Sequence, residues 1–78
     1  MAYDYTAHAK RIEHALTLAG CHGIAARLED ARLGGSTSGE ILMGLRHECR
    51  IAIADLVVSP EIKEDLRALV AQIDATGV

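Results

Sequence analysis

Apolar residues recur along this chain at intervals of three and four, and four stretches with that helical spacing can be read from it. The first runs from about Tyr5 to Ala19, with Tyr5, His8, Ile12, Ala15, Leu16 and Ala19 on one stripe. Asp4 is placed to cap its start, and Gly20 to stop it, because glycine enters the left-handed C-cap conformation without steric cost. The second, Gly23 to Leu33, has Ile24, Leu28 and Ala31 on its inner side. The pair Gly34-Gly35 ends it, and Ser36-Thr37-Ser38-Gly39 reads as a flexible linker, a hinge between the first helical pair and the second.

The third stretch, Ser38 to Val57, opens on a capping box in which Thr37 accepts from the Glu40 amide and the Glu40 side chain reaches back to the Thr37 amide. Its main stripe is Ile41, Leu42, Leu45, Cys49, Ala52, Ile53 and Leu56. Met43, Gly44, Ile51 and Ala54 fall outside that arc, so this helix is apolar on more than one side. The fourth stretch is the most sharply bounded. Ser59 is its cap, Pro60 occupies the first helical position where its missing N–H costs nothing, and Glu61 lies near the positive end of the helix dipole. Ile62, Leu66, Leu69, Val70 and Ile73 form its stripe, and Gly77 closes it. No segment alternates with a period of two. The pattern therefore predicts an all-α fold: one domain over residues 1–78, a compact four-helix bundle with short connections and with helix three (38–57) central.

Composition narrows the chemistry. Half of the 78 residues are hydrophobic, yet Phe and Trp are absent and Tyr3 and Tyr5 are the only aromatic residues among Phe, Trp and Tyr. A core must come from Leu, Ile, Val and Ala. A chain this short buries only roughly 60% of the surface its unfolded form exposes, which makes a staple or a second subunit useful. The net charge is −3 and no basic block is present, which argues against nucleic acid, whose binding requires clustered Lys and Arg. No run of about 18 apolar residues predicts a membrane span, and Met1 to Lys10 lacks the apolar run of a signal peptide, so the expected location is cytoplasmic.

Each candidate for chemistry has a plainer reading. Cys21-His22 and His47-Glu48-Cys49 suggest a metal, but residues two apart on a helix point about 200° away from each other, and paired Cys-x-x-Cys spacing is missing. No metal and no cofactor is expected. Cys49 lies on the main stripe and reads as a small buried hydrophobe, and Cys21, beside His22 in a loop, as the more exposed thiol. No nucleophile–base set stands out, so no catalytic residue is assigned and the chain is read as a non-enzyme. His8 is expected at the rim or in the core with a ring nitrogen satisfied, and His14 in solvent. The linker Gly34 to Gly39 lacks the Gly-Lys-Ser/Thr and the preceding strand of a phosphate loop.

The second apolar side of helix three carries the functional expectation. It is either buried by the other three helices or exposed for association, since large apolar patches seldom stay bare. Met43, Gly44, His47, Ile51 and Ala54 are the candidate interface, with Gly44 allowing close approach and Met43 adapting to an irregular surface. The expected function is a non-enzymatic interaction module acting as a small helical homodimer, of the immunity, antitoxin-like or adaptor kind. Asp30, Glu40, Glu48 and Asp55 offer acids to a protein partner with a basic surface. The alternative is a bundle dimer that holds a small ligand or cofactor between its helices, with Cys49, His47 and His8 as polar contacts.

The stretch Ser38-Gly39-Glu40-Ile41-Leu42-Met43-Gly44-Leu45-Arg46 resembles a segment of small uncharacterised bacterial helical proteins. In these, a Gly-rich turn leads into a helix beginning Glu-Ile-Leu-Met followed by a Leu-Arg pair. The resemblance covers about a dozen residues and implies a bacterial origin and a helical fold. It implies no activity and no site residues.

Overall fold

The first helix starts where the Asp4 carboxylate accepts a hydrogen bond from the Ala7 amide at 3.0 Å, so that an otherwise orphaned helical N–H is satisfied. The computed structural model describes residues 3–78. Met1 and Ala2, which the single-domain reading includes, lie outside the described residues. Four helices follow in order: α1 (Tyr5–Leu18), α2 (His22–Gly34), α3 (Ser38–Ala54) and α4 (Pro60–Ala75). No strand occurs among the described residues. None of these helices is long and apolar enough to cross a membrane.

The end of α1 shows how local sequence sets a helix boundary. Gly20 takes φ +84°, its amide donates to the Thr17 carbonyl, and the Cys21 amide donates to the Leu16 carbonyl. This is the paired-bond helix stop that glycine makes accessible. It also folds Cys21 inward, so the thiol expected to be exposed is buried. The turn is tight, and α2 begins at once.

The connection to α3 is also tighter than a hinge. Gly34 still belongs to α2, and Ser38 and Gly39 already belong to α3. Gly35 is pressed against α3: a Cβ there would fall 2.6 Å from Ile41 Cγ1 and 2.8 Å from the Ile41 amide nitrogen. Its φ of −85° is open to any residue, so glycine serves for space and not for conformation. Thr37 Oγ1 accepts from the Glu40 amide as expected, but the Glu40 carboxylate bonds the Ser36 amide instead of that of Thr37.

Helix α3 ends at Ala54, three residues short of the Val57 that periodicity suggested. Asp55 leaves the helical region, and its carboxylate accepts from the Val57 amide at 2.9 Å, a side-chain turn that competes with helix continuation. Leu56 therefore leaves the apolar stripe and is 94% exposed. Val58 folds back into the core, and Ser59 caps α4 through the Ile62 amide.

The four helices close a ring. Helix α1 packs on α2, α2 on α3, α3 on α4, and α4 returns to α1. Helix α3 contacts α2 and α4 but not α1, so it is one member of the ring and not the central helix expected, because a ring of four gives every helix two neighbours and leaves its far side open. Ile12, Leu16, Leu28, Leu45, Cys49, Leu66, Leu69 and Ile73 fill the centre and are fully buried. Three of the four seams add a polar tie. Arg32 of α2 donates two hydrogen bonds to Glu13 of α1, at 2.9 and 3.0 Å. His8 of α1 meets Asp65 of α4 at 2.6 Å. Arg46 of α3 pairs with Asp74 of α4 at 2.9 Å and also donates to the Val78 carbonyl. On the fourth seam, between α2 and α3, Gly44 lies against Ala31, where an added Cβ would stand 3.5 Å from the Ala31 Cβ.

Candidate functional site

The far side of α3 is where the chain leaves apolar groups in water. Glu40, Met43, His47, Arg50 and Ala54 follow one another at spacings of three and four and are all exposed. Residues so spaced form one continuous stripe on a helix. Ile51 flanks it. Met43 is 56% and Ile51 43% exposed, values out of keeping with their hydrophobicity. The stripe runs into the α3–α4 turn, where Leu56 and Val57 are also exposed.

Of the five residues expected at an interface, Met43, His47, Ile51 and Ala54 share this outer side. Gly44 is turned toward α2 and its close approach is to Ala31 within the same chain. Glu40 and Arg50 complete the stripe with a charge of each sign, a feature visible as the spacing 40, 43, 47, 50, 54 but obscured by attention to apolar residues alone. Leu56 and Val57 were hidden by assigning them to the helix. The open choice between a buried second face and an exposed one is settled toward exposure within the chain.

The other chemistry-bearing groups do not assemble into a site with this stripe. Cys49 is fully enclosed, and burial, with the nearby Glu48 charge, pushes its thiol up to about 12. A thiol held so high is protonated at neutral pH, and only the thiolate is a nucleophile. Cys21 and Cys49 are both free. His47 is exposed on α3 while Cys49 faces inward, so the two diverge as helix geometry requires. Among the described residues, no group of three or more His, Cys, Asp and Glu is gathered as metal ligands would be.

His8 is buried and has a partner at each ring nitrogen. The Tyr3 hydroxyl is bonded to Nδ1, and Nε2 meets the Asp65 carboxylate. Glu13 and Arg32, which periodicity did not single out as a pair, are each 11% exposed at their side chains. The Glu13 hydrogen bonds raise the Arg32 pKa, burial opposes them, and the charges of Glu13 and Glu29 add to the rise.

Clefts open among the described residues. One of about 350 Å³ opens among Tyr3 and Tyr5 at the start of α1, Leu42 of α3, and Gln72, Ile73 and Ala75 of α4 with Thr76. A smaller one, about 210 Å³, lies beside Glu13, Thr17, His22 and Glu29. Neither is lined by the combination of Cys49, His47 and His8 considered for ligand binding. No family model, no curated protein and no solved structure matches this chain.

Proposed function

We propose that the chain is a small non-enzymatic interaction module that acts as a homodimer through the outer side of α3. The observation that carries this reading is the exposed stripe Met43, His47, Ile51 and Ala54 with its continuation in Leu56 and Val57. A domain of this size has little apolar material to fill its own centre, and leaving this much outside is unfavourable unless another surface covers it. The groups that would have to converge for catalysis are instead engaged in holding helices together: His8 with Asp65, and Glu13 with Arg32. The exposed acid Asp30, on α2 and off this stripe, is available to a basic protein partner. The place of such a module in a cell, as an immunity protein, antitoxin-like inhibitor or adaptor in the cytoplasm, belongs to the same proposal.

The test is the molar mass by light scattering across a concentration series, for the parent chain and for Ile51→Glu. A dimer that becomes a folded monomer on substitution, with its helical circular dichroism intact, is the expected result. A parent chain that stays monomeric at every concentration would overturn the homodimer.

A second reading has one observation in its favour. The 350 Å³ cleft is lined by apolar Leu42, Ile73 and Ala75, the aromatic Tyr3 and Tyr5, and the polar Gln72 and Thr76. That is the low end of the size range of small-ligand sites. A small molecule held on the protein in native mass spectrometry would support it.

A further inference from the structure

We infer that the second copy lies antiparallel on α3, about a two-fold axis passing beside His47; this rests on the self-association proposed above. The stripe Glu40, Met43, His47, Arg50, Ala54 has the three-and-four spacing of a helix-pairing seam. A two-fold interface must be complementary to itself, because each copy presents the same patch. The order of residues along this one decides the direction. In a parallel pair, Glu40 would stand beside its own copy, and so would Arg50, setting like charges together at both places. In an antiparallel pair centred on His47, Met43 lies opposite the partner's Ile51, and Ile51 opposite the partner's Met43. Apolar groups then meet on both sides of the axis.

The charges also find opposite partners. Glu40 lies opposite the partner's Ala54, and the partner's Arg50 is four residues from that point, about 6 Å along the helix at 1.5 Å per residue. An arginine side chain spans that distance. The symmetry creates two such pairs, one at each end of the seam. The same arrangement brings the exposed Leu56 and Val57 of each copy alongside the start of the other's α3. Leu33, the last residue but one of α2 and 67% exposed, precedes the turn that leads into that end of α3.

Two single substitutions test the direction, followed by a charge exchange. Cysteine is introduced as His47→Cys or as Glu40→Cys, and each protein is oxidised mildly and run on a non-reducing gel. Cys21 and Cys49 are buried, which keeps the background low. The expected result is a covalent dimer for His47→Cys and none for Glu40→Cys, because residue 47 meets its own copy at the axis and residue 40 does not. Efficient cross-linking through Glu40→Cys, or none through His47→Cys in a protein that light scattering shows to be dimeric, would overturn the antiparallel arrangement while leaving the homodimer standing. A parent chain that is monomeric throughout would remove both. In the exchange, Glu40→Arg is expected to weaken the dimer on the order of tenfold, and adding Arg50→Glu to restore it. A double variant as weak as the single would count against the Glu40 to Arg50 pairing.

Discussion

The seam between α1 and α2 and the outer side of α3 depart from ordinary burial in opposite directions. The seam takes two charges inside, Glu13 and Arg32, and satisfies them with a two-point hydrogen-bonded contact. The outer side of α3 leaves Met43 and Ile51 about half exposed, with no partner across them among the described residues. The seam is complete within one copy. Its groups depend on each other, and without Glu13 the Arg32 guanidinium keeps only the more exposed Glu29 at 3.9 Å. The outer side depends on nothing in the fold, and altering it should change association without changing the monomer. An irregularity inside a bundle is thus a property of its stability, and one outside is a property of its contacts.

Removing the Glu13 carboxylate should produce the largest effect. Glu13→Ala removes both hydrogen bonds to the half-buried Arg32 and leaves it only Glu29, 3.9 Å away and more than half exposed, a loss of about 2–3 kcal/mol in urea unfolding. The paired replacement Glu13→Leu with Arg32→Leu should lose less, since it leaves no charge short of its main partner. Equal losses in both proteins would mean that the seam is held by packing and not by the ion pair. Next comes Gly35→Ala, which forces a methyl group against Ile41 and should destabilise by about 1–3 kcal/mol, read as a lower urea midpoint.

The buried Cys49 thiol sharpens the same side of the comparison through pH. Its folded pKa of about 12 lies above the ordinary 9.0, so the folded state favours the neutral thiol. Its contribution is whole below pH 9 and is lost as the pH rises from 9 toward 12. The slope is about 1.4 kcal/mol per pH unit from this one group. Urea midpoints at pH 9, 10 and 11 should therefore fall more steeply for the parent than for Cys49→Ala. Parallel slopes would show that Cys49 is not the group responsible. The smallest effect on folding belongs to the outer side. At concentrations where the chain is monomeric, Ile51→Glu should shift stability by no more than about 0.5 kcal/mol. A loss of several kcal/mol would place Ile51 inside the fold and erase the contrast.

Local signals made much of this legible. Asp4, Thr37, Ser59 and Pro60 begin their helices where their side-chain chemistry says they should, and Gly20 stops α1 through its positive φ. These effects act over three or four residues and need no tertiary partner. The same locality explains what was misread. Leu56 fits the period of α3, but the Asp55 carboxylate bonded to the Val57 amide ended the helix first. Cys21 looked like a loop thiol because its burial comes from the tight turn that folds it back on α1. Gly35 looked like a hinge because composition alone carries no record of the Ile41 side chain lying against it.

By itself, the sequence determined the number of helices, their caps and the apolar stripe on each, because capping and periodicity are properties of neighbouring residues. It also marked α3 as apolar on more than one side. Only the tertiary structure decided that the helices close a ring with α4 against α1, that Gly44 serves the seam with α2, and that Met43, His47, Ile51 and Ala54 remain outside. Those choices depend on which helix faces which, through pairs as distant as Glu13 with Arg32 and His8 with Asp65. A period along one helix records that a face is apolar; whether that face meets a neighbour or water is set by the remaining helices.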